Sequence, residues 1–141
     1  MREIKFRGRV KNTNKPQWVY GIVIPPQYSS WEDWTLFDGE RRWIVDPETV
    51  GQYTGNNDVG GDEIYEGDIL ESRASSDKRD WKKWVVQFSD GAFTTVVIKN
   101  RKRKISPNEI TVVCDDEIKF YGFFVIGNIH DNPELLKGEE E

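Results

Sequence analysis

The chain has 141 residues, a formal net charge of -5 and a single cysteine. This length suits one domain, or one domain with a small satellite, and one cysteine excludes an intrachain disulfide. The acidic balance argues against a protein that binds nucleic acid over its whole surface, although it permits a local basic patch.

The first third of the chain predicts short strands separated by turns. Apolar and basic side chains alternate over residues 4–10, and large apolar side chains recur at every second position over residues 18–24. A period of two is typical of strands. Residues 27–40 are irregular and predict a long loop with one short strand. We expect a further strand at 42–45 and then one helical turn over 46–51, because Asp caps helices and Pro is tolerated at the first helical position.

The middle of the chain predicts two tight reversals. Residues 64–70 indicate two strands joined by a corner at Glu66-Gly67-Asp68, and we expect a positive φ at Gly67. Asp90-Gly91 lies between two apolar runs and predicts a hairpin from Trp84 to Ile98. The more buried residues of this hairpin are expected to be Val85, Phe93 and Val97.

The remaining segments complete a pattern of short elements. Residues 72–80 are polar and predict a mobile loop. Strands are expected at 110–114 and 120–126, with a charged turn between them, and a capped helical turn is expected at 132–136. Many short strands with frequent turns predict a mostly β protein built as a small barrel or sandwich.

Four segments in order bracket nearly the whole chain: Arg2–Arg7, Val50–Gly55, Glu63–Ile69, and Val125–Ile129 followed by Asn132–Leu136. Glu63–Ile69 is the most specific of them. Together, and in this order, these segments resemble the YopX family of phage-associated proteins.

The resemblance implies a fold and an origin but no activity. It implies an SH3-like β-barrel over residues 61–136, preceded by a smaller β-rich part over residues 1–60. It also implies a phage or prophage protein inside a bacterial cell. No catalytic residue carries over from the family. Composition separately predicts a disordered acidic tail at residues 137–141.

A basic region between residues 78 and 104 is the first candidate site. Clustered cations beside exposed aromatic rings are typical of sites that hold a nucleic-acid backbone and stack its bases. The alternative is that they are solvated loop and edge-strand residues, where lysine discourages edge pairing. The candidate nucleic-acid-binding residues are Lys78, Arg79, Trp81, Lys82, Lys83, Arg101, Lys102, Arg103 and Lys104.

The aromatic side chains of the first half are the second candidate site. SH3-like folds use such aromatics to hold extended peptides. Packing in the core explains most of these side chains equally well. Trp31 and Trp34 lie in the irregular loop, so we expect them to be exposed and assign them as candidate protein-binding residues.

The sequence indicates no catalytic residue, metal site or cofactor. Phosphate-loop, dinucleotide, zinc-protease and paired-cysteine motifs are all missing from it. We interpret His130 as a surface or capping residue and Cys114 as a structural thiol. Residues 58–63 are interpreted as a hairpin tip, because the spacing of a calcium-binding EF-hand loop fails there.

We therefore expect a non-catalytic binding or regulatory protein whose partner is a protein. Binding of single-stranded DNA or RNA through residues 78–104 is the alternative, and an unfamiliar enzyme is the third class. The sequence contains no membrane-spanning apolar run and no recognisable secretion signal, so a cytoplasmic location is expected. It does not indicate the oligomeric state.

Overall fold

The computed structural model describes residues 3–98 and 109–137. The chain is mostly β and folds into two compact units, Met1–Tyr53 and Thr54–Glu141. The sequence placed the boundary between the two parts later in the chain, between residues 60 and 61. The predicted acidic tail, apart from Lys137, lies outside the described residues. No described helix is long and apolar enough to cross a membrane.

Four antiparallel strands form the first unit, and their pairings close into a ring. The first strand pairs with the second and fourth, and the third strand also pairs with the second and fourth. A 3₁₀ turn at Pro26–Tyr28 begins one residue before the predicted long loop. The strands are β1 (Phe6–Val10), β2 (Trp18–Ile24), β3 (Thr35–Phe37) and β4 (Arg42–Asn57).

The core of the first unit is small and mainly aliphatic. Val19, Leu36 and Val45 are buried at its centre, and the half-buried Trp34 and Trp43 pack against them. Side chains alternate between the two faces of a strand. The neighbours of these core residues along β2, β3 and β4 therefore point away from the core.

Strand β4 replaces the helical turn expected over residues 46–51. Asp46 Oδ1 accepts the Glu48 N–H at 3.1 Å, and the Thr49 hydroxyl donates to the Asp46 carbonyl at 2.6 Å. Thr49 Oγ1 also accepts the Arg9 N–H at 2.9 Å, where the register between β1 and β4 shifts. The polar residues thus form a bulge within a paired strand, and pairing with β1 overrides the local helix signal.

Five strands of the second unit form an antiparallel sheet. The strand that comes first in the chain is not at an edge of this sheet, because it pairs with both the second strand and the last. Another strand pairs with β4, whose end enters this unit. One 3₁₀ turn lies at Lys78–Asp80, and another at Pro133–Leu136, after the last strand, is the helical turn predicted at 132–136. The elements are β5 (Glu63–Tyr65), β6 (Asp68–Ser72), β7 (Lys82–Ser89), β8 (Ala92–Val97), β9 (Ile110–Val112), helix α1 (Asp115–Tyr121) and β10 (Phe123–Asn128), and the sheet order is β10-β6-β7-β8-β9.

The hairpin predicted at Asp90-Gly91 is confirmed as β7 and β8. Asp90 and Gly91 have φ angles of 52° and 81°. A two-residue hairpin turn with positive φ at both positions matches the twist of the flanking strands. Asp and Gly tolerate that conformation, so two residues decide where the strands reverse.

Of the three residues predicted to be the more buried ones in this hairpin, Val97 and Phe93 face the core and Val85 does not. Trp84 lies opposite Val97, and Phe88 lies opposite Phe93. Val97 is buried in the core with Trp84, and Phe93 packs against the same core. Val85 lies on the other face and is only half-buried, because a shift of one position moves a side chain to the opposite face.

Helix α1 occupies residues that we expected to form a charged turn and the start of a strand. Its first turn contains Asp115–Glu117, where carboxylates interact favourably with the helix dipole. Gly122 ends the helix in the left-handed conformation, with φ of 65°, which glycine adopts without a steric penalty. Strand β10 consequently begins at Phe123 rather than at Phe120.

Aromatic rings dominate the core of the second unit. Tyr121 and Phe123 stack with ring centroids 5.3 Å apart, and Trp84 contacts these two rings at 5.2 and 5.4 Å. Such ring pairs stabilise a core beyond the area that they bury. The buried aliphatic side chains around them are Ile64, Leu70, Val86, Val97, Val113 and Ile118.

Candidate functional site

One face of β2, β3 and β4 carries large apolar side chains directed away from the core. The register places Ile22 opposite Phe37, and Phe37 opposite Arg42, in one row across three strands. Tyr20 and Ile44 lie two residues from this row on the same face, since side chains alternate along a strand. We refer to Tyr20, Ile22, Phe37, Arg42 and Ile44 as the outward face.

The outward face is apolar where an antiparallel sheet usually turns polar residues to water. Its four apolar side chains are between 42% and 61% exposed. Leu36 and Val45, which alternate with them along the strands, are almost completely buried. The sheet is therefore apolar on both sides, and exposed apolar patches of this kind mark interaction surfaces.

Trp31 adds an aromatic ring beside the outward face. The guanidinium carbon of Arg42 lies 3.7 Å from the centroid of the Trp31 ring, and both side chains are exposed. This cation–π contact orients the guanidinium. Within residues 3–98 and 109–137 Arg42 forms no ion pair. Its N–H donors can therefore bind a carboxylate from a second molecule.

The turn between β3 and β4 is held by the carboxylate of Asp38. Asp38 Oδ1 accepts the N–H groups of Glu40 and Arg41 at 2.8 and 2.7 Å, and Oδ2 accepts the Trp43 Nε1–H at 2.9 Å. These donors, led by the Arg41 backbone, lower the pKa of Asp38 from 3.8 to about 2. The ionised carboxylate fixes the turn through which the outward face passes from one strand to the next.

The two predicted protein-binding tryptophans lie in different environments. Trp31 is exposed, as predicted. Trp34 is half-buried and packs against the core of the first unit, so its predicted exposure was wrong. The Trp34 carbonyl accepts the Val45 N–H at 3.0 Å. Trp34 thus faces the same side as Leu36, two residues later, because the alternation of side chains already applies at the residue before β3.

Sequence reasoning missed four residues of the outward face: Ile22, Phe37, Arg42 and Ile44. The period of two over residues 18–24 was the available signal. Val19 and Val23 occupy the alternate positions and are also apolar. Periodicity alone therefore did not show which set of side chains faces the core and which faces solvent.

The first part of the basic region forms a hydrogen-bonded turn. Residues 72–80, predicted to be a mobile loop, contain the 3₁₀ turn capped by Asp77, whose Oδ1 accepts the Arg79 N–H at 2.9 Å. The Arg79 guanidinium also donates to both oxygens of Asp77, at 2.8 to 3.1 Å. This contact lowers the pKa of Asp77 and raises that of Arg79. Arg79 is thus already paired within the turn.

The Trp81 side chain is held by a hydrogen bond from its indole N–H and by cation–π contacts with its ring. Its Nε1–H donates to the Ser75 carbonyl at 2.9 Å. The Arg73 guanidinium carbon lies 5.3 Å from the centre of the ring, and Lys78 Nζ lies 5.6 Å from it. The indole is half-buried, so these cations and the turn leave only part of its surface for a stacked base.

The other predicted nucleic-acid-binding residues are only partly described. Lys82 and Lys83 lie on β7 opposite Ser72 and Glu71. The Ile98 N–H donates to the Lys83 carbonyl at 2.8 Å, so the open end of the hairpin lies beside Lys83. Residues 78–83 are therefore brought together near this open end. Arg101, Lys102, Arg103 and Lys104 lie outside the described residues.

The corner after β5 is stabilised by a buried carboxylate. Gly67 has a positive φ of 91°, as predicted. Asp68 is 2% exposed, and its Oδ2 accepts the Tyr65 N–H at 2.7 Å across the turn. The Gly67 N–H donates to the Val86 carbonyl, and the Gly67 carbonyl accepts the Ile129 N–H, both at 2.9 Å. The corner thus joins three parts of the second unit.

The turn after β10 is organised by Asn128. Its Oδ1 accepts the N–H groups of His130 and Asp131, both at 2.9 Å. Asn132 Oδ1 accepts the Asn128 N–H at 3.2 Å, and the Asn132 N–H donates to the Asn128 carbonyl at 2.9 Å. A β-carbon at Gly127 would lie 2.4 Å from Asn132 Oδ1. A side chain larger than that of glycine would therefore displace the Asn132 side chain that closes the turn.

The tip between β4 and β5 is closed by Asp58. One oxygen of its buried carboxylate accepts the Asp62 N–H at 2.8 Å, and the other accepts the Val125 N–H at 2.9 Å. Both oxygens thus bind backbone groups, which explains an acidic residue at this position without a cation. The described part of the chain contains no cluster of three or more His, Cys, Asp or Glu able to hold a metal ion.

A solved structure has a similar fold. The crystal structure of protein EF1440 from Enterococcus faecalis aligns with a TM-score of 0.56 and 23% sequence identity. The alignment covers 97% of this chain and 100% of that protein. Identity at this level supports the shared fold alone. No curated protein matches this chain.

Two of the three polar turns, at Gly67-Asp68 and at Asn128, lie in segments on which the family resemblance rested. The family model described as "YopX protein" matches residues 5–137 of this chain. This match spans both units, including the outward face. The chain belongs to the YopX family.

Proposed function

We propose that this protein is a non-catalytic binding or regulatory accessory protein that contacts a protein partner through the outward face. The observation that carries the proposal is the row of exposed apolar side chains that the register of β2, β3 and β4 aligns. We further propose that a phage or prophage encodes it and that it acts in the cytoplasm of the bacterial host. Membership of the YopX family is the support for this second part.

The chemistry of the outward face specifies the kind of partner. The apolar side chains of Tyr20, Ile22, Phe37 and Ile44 favour a partner surface that is itself apolar. The exposed guanidinium of Arg42, oriented by Trp31, favours a carboxylate next to that apolar surface. A partner segment with aliphatic or aromatic side chains beside an Asp or Glu meets both requirements.

We propose an SH3-like barrel as the fold type of the second unit. Four consecutive strands, β6 to β9, each pair with the next, and β10 returns to pair with β6. This connectivity supports the assignment made for residues 61–136. In this proposal the second unit is the scaffold of the protein, and the binding surface belongs to the first unit.

Nucleic-acid binding through the basic region is the second candidate and has weaker support. Arg79 is paired with Asp77, and Trp81 is held against its own turn. A phosphate-binding site loses affinity steeply as salt rises, because bound counterions are released. Fluorescence anisotropy with labelled single-stranded DNA and RNA across a salt series separates the candidates. We expect no binding at low salt, and salt-dependent binding would favour the nucleic-acid function.

Site-specific photo-crosslinking tests the protein-binding proposal. A photoreactive phenylalanine analogue is placed at position 37 of the full chain, which is produced in lysogenic or infected bacterial cells and irradiated there. We expect one dominant crosslinked protein, identified by mass spectrometry. The matched control places the same analogue at position 88, where Phe88 of the second unit is 55% exposed.

Two readouts decide the crosslinking experiment: the yield of the crosslinked protein, and the reduction of that yield by a competing copy of the chain without the analogue. Excess unlabelled wild-type protein is expected to suppress the crosslink at position 37. The Arg42→Ser variant is expected to suppress it less, because it lacks the guanidinium that binds the partner's carboxylate. Equal crosslinking from positions 37 and 88, or crosslinking that no competitor reduces, would contradict the proposal.

A further inference from the structure

The two edge strands of the five-stranded sheet in the second unit, β10 and β9, differ in what contacts their outer backbone groups. At the β10 edge, the Val59 N–H donates to the Phe123 carbonyl at 3.1 Å, and Asp58 Oδ2 accepts the Val125 N–H at 2.9 Å. The tip between β4 and β5 therefore covers this edge. A covered edge cannot pair with a strand of another molecule.

The β9 edge presents backbone groups outward. Val113 donates its N–H to the Phe93 carbonyl at 2.9 Å, and Thr111 lies opposite Thr95. Hydrogen-bonded positions alternate along an antiparallel pair. The N–H and C=O groups of Ile110 and Val112 therefore point away from β8, and no residue in 3–98 or 109–137 hydrogen-bonds to them.

The two residues of β9 whose backbone groups point outward also have exposed side chains. Ile110 and Val112 are 46% and 52% exposed, whereas Thr111 between them is 9% exposed and faces the core. The edge thus offers two outward N–H groups, two outward C=O groups and two apolar side chains on one face. The pattern is symmetric about Thr111.

We propose that β9 binds β9 of a second copy of this chain, antiparallel and centred on Thr111. In this register Ile110 lies opposite Val112 of the second copy, and Val112 lies opposite Ile110 of the second copy. Both are hydrogen-bonded pairs, so four N–H···O bonds form between the copies. The two five-stranded sheets join into one sheet of ten strands with a two-fold axis.

A second copy fits this edge because the pattern is complementary to itself. Each outward donor meets an outward acceptor, and each apolar side chain meets an apolar side chain, the kind of cross-strand pair that stabilises sheets. No two like charges meet at positions 110–112. Isologous contacts of this type are the commonest basis of soluble dimers. The contact is short, so the dimer is weak and its population rises with protein concentration.

Amide hydrogen exchange of the full chain, measured by NMR at several protein concentrations, tests the pairing residue by residue. We expect the Thr111 and Val113 amides to be protected at every concentration, because they bond to β8 within one copy. The Ile110 and Val112 amides are expected to gain protection only as concentration rises. Sedimentation equilibrium on the same samples measures the dimer fraction.

Two variants separate the edge from the rest of the molecule. Val112→Pro removes an outward donor without removing a bond to β8, and we expect the dimer dissociation constant to rise by about tenfold. Ile110→Lys with Val112→Lys, which places like charges opposite each other, is the second variant if the proline variant fails to fold. Phe120→Lys is the matched control, since Phe120 is 72% exposed on α1, and it should dimerise as the wild type does.

The proposal is overturned by either of two results. One is a wild-type protein that stays monomeric at its highest soluble concentration, with Ile110 and Val112 amides exchanging freely. The other is a dimer that the double lysine variant forms as readily as the wild type and the Phe120→Lys control. Pairing of this edge with a different protein while the chain alone remains monomeric gives the first result.

Discussion

The polar turns of the second unit and the outward face of the first unit use their side chains in opposite ways. At the turns, the functional atoms of Asp58, Asp68 and Asn128 bind backbone groups of the same chain and are buried. On the outward face, apolar side chains such as Ile22 and Phe37 remain exposed. The turns at Asp68 and Asn128 lie within the segments of the family resemblance, whereas the outward face lies outside them.

This difference separates what builds the fold from what is available to a partner. A buried carboxylate whose hydrogen bonds end within its own chain has little capacity left for a ligand. An exposed apolar side chain gains from being covered. The segments that carry the family resemblance therefore indicate which residues stabilise the fold, and they do not indicate which residues bind a partner. The function is expected to reside at residues that the family resemblance did not highlight.

The largest effect is expected at Leu36, on the core side of the strands, with Ile22 of the outward face as the control. Leu36 is fully buried, so Leu36→Ala leaves a cavity and should lower the free energy of unfolding by about 2–5 kcal/mol. Ile22→Thr on the exposed side keeps a β-branched residue and should change it by no more than about 0.5 kcal/mol. Urea denaturation measures both, and similar losses would show that the two sides of the sheet are not distinct.

A smaller but clear loss is expected at the buried carboxylate of the corner. Asp68→Ala leaves the Tyr65 N–H without its acceptor and should lower the free energy of unfolding by about 1–3 kcal/mol. Glu48→Ala is the control, because Glu48 is exposed. Equal denaturation midpoints for the two variants would contradict the structural role of Asp68.

A loss of about 1 kcal/mol or more is expected at Gly67, because alanine is strained at its φ of 91°. Gly60→Ala is the matched control. Its φ lies outside the left-handed region, and an added β-carbon would lie 3.5 Å from its nearest neighbour, an ordinary contact. Thermal unfolding compares the two variants, and an unchanged midpoint for Gly67→Ala would contradict the prediction.

A pH effect is expected at the turn that connects β3 and β4. The pKa of Asp38 is lowered to about 2, so the stabilisation from its ionised form is fully present above its ordinary value of 3.8 and is lost as pH falls through about 2. The carboxyl carbon shift of Asp38, followed by NMR, should titrate near that value. In Trp43→Phe, which lacks the indole donor, the pKa should rise. Titration of wild-type Asp38 at its ordinary pKa would contradict this.

Local turn chemistry could be read from the sequence, and long-range pairing could not. Asp90-Gly91 and Gly67 were predicted correctly because the required φ angles depend on two or three adjacent residues. The turn at Asp46 was predicted as helix, since its capping signal is local, but β1 pairs with this segment. Helix α1 was missed although its acidic first turn and Gly122 were available signals.

The candidate site was predictable only in part for a related reason. The exposure of Trp31 followed from its position in an irregular loop. Ile22 and Phe37 were missed because both faces of the sheet are apolar, so alternation does not distinguish inside from outside. Only the pairing of three strands, formed by residues distant in sequence, brings the outward face together.

The central claim is that the outward face binds a protein while the polar turns serve the fold. Its most direct test is isothermal titration of the partner captured by crosslinking into wild-type protein and two variants, Phe37→Thr and Phe88→Thr. Both replaced rings are exposed, at 42% and 55%. We predict that Phe37→Thr weakens binding by about tenfold or more, as expected for an aromatic hot spot, and leaves the unfolding free energy nearly unchanged. Equal affinity of Phe37→Thr and wild type, or an equal loss with Phe88→Thr, would contradict the claim.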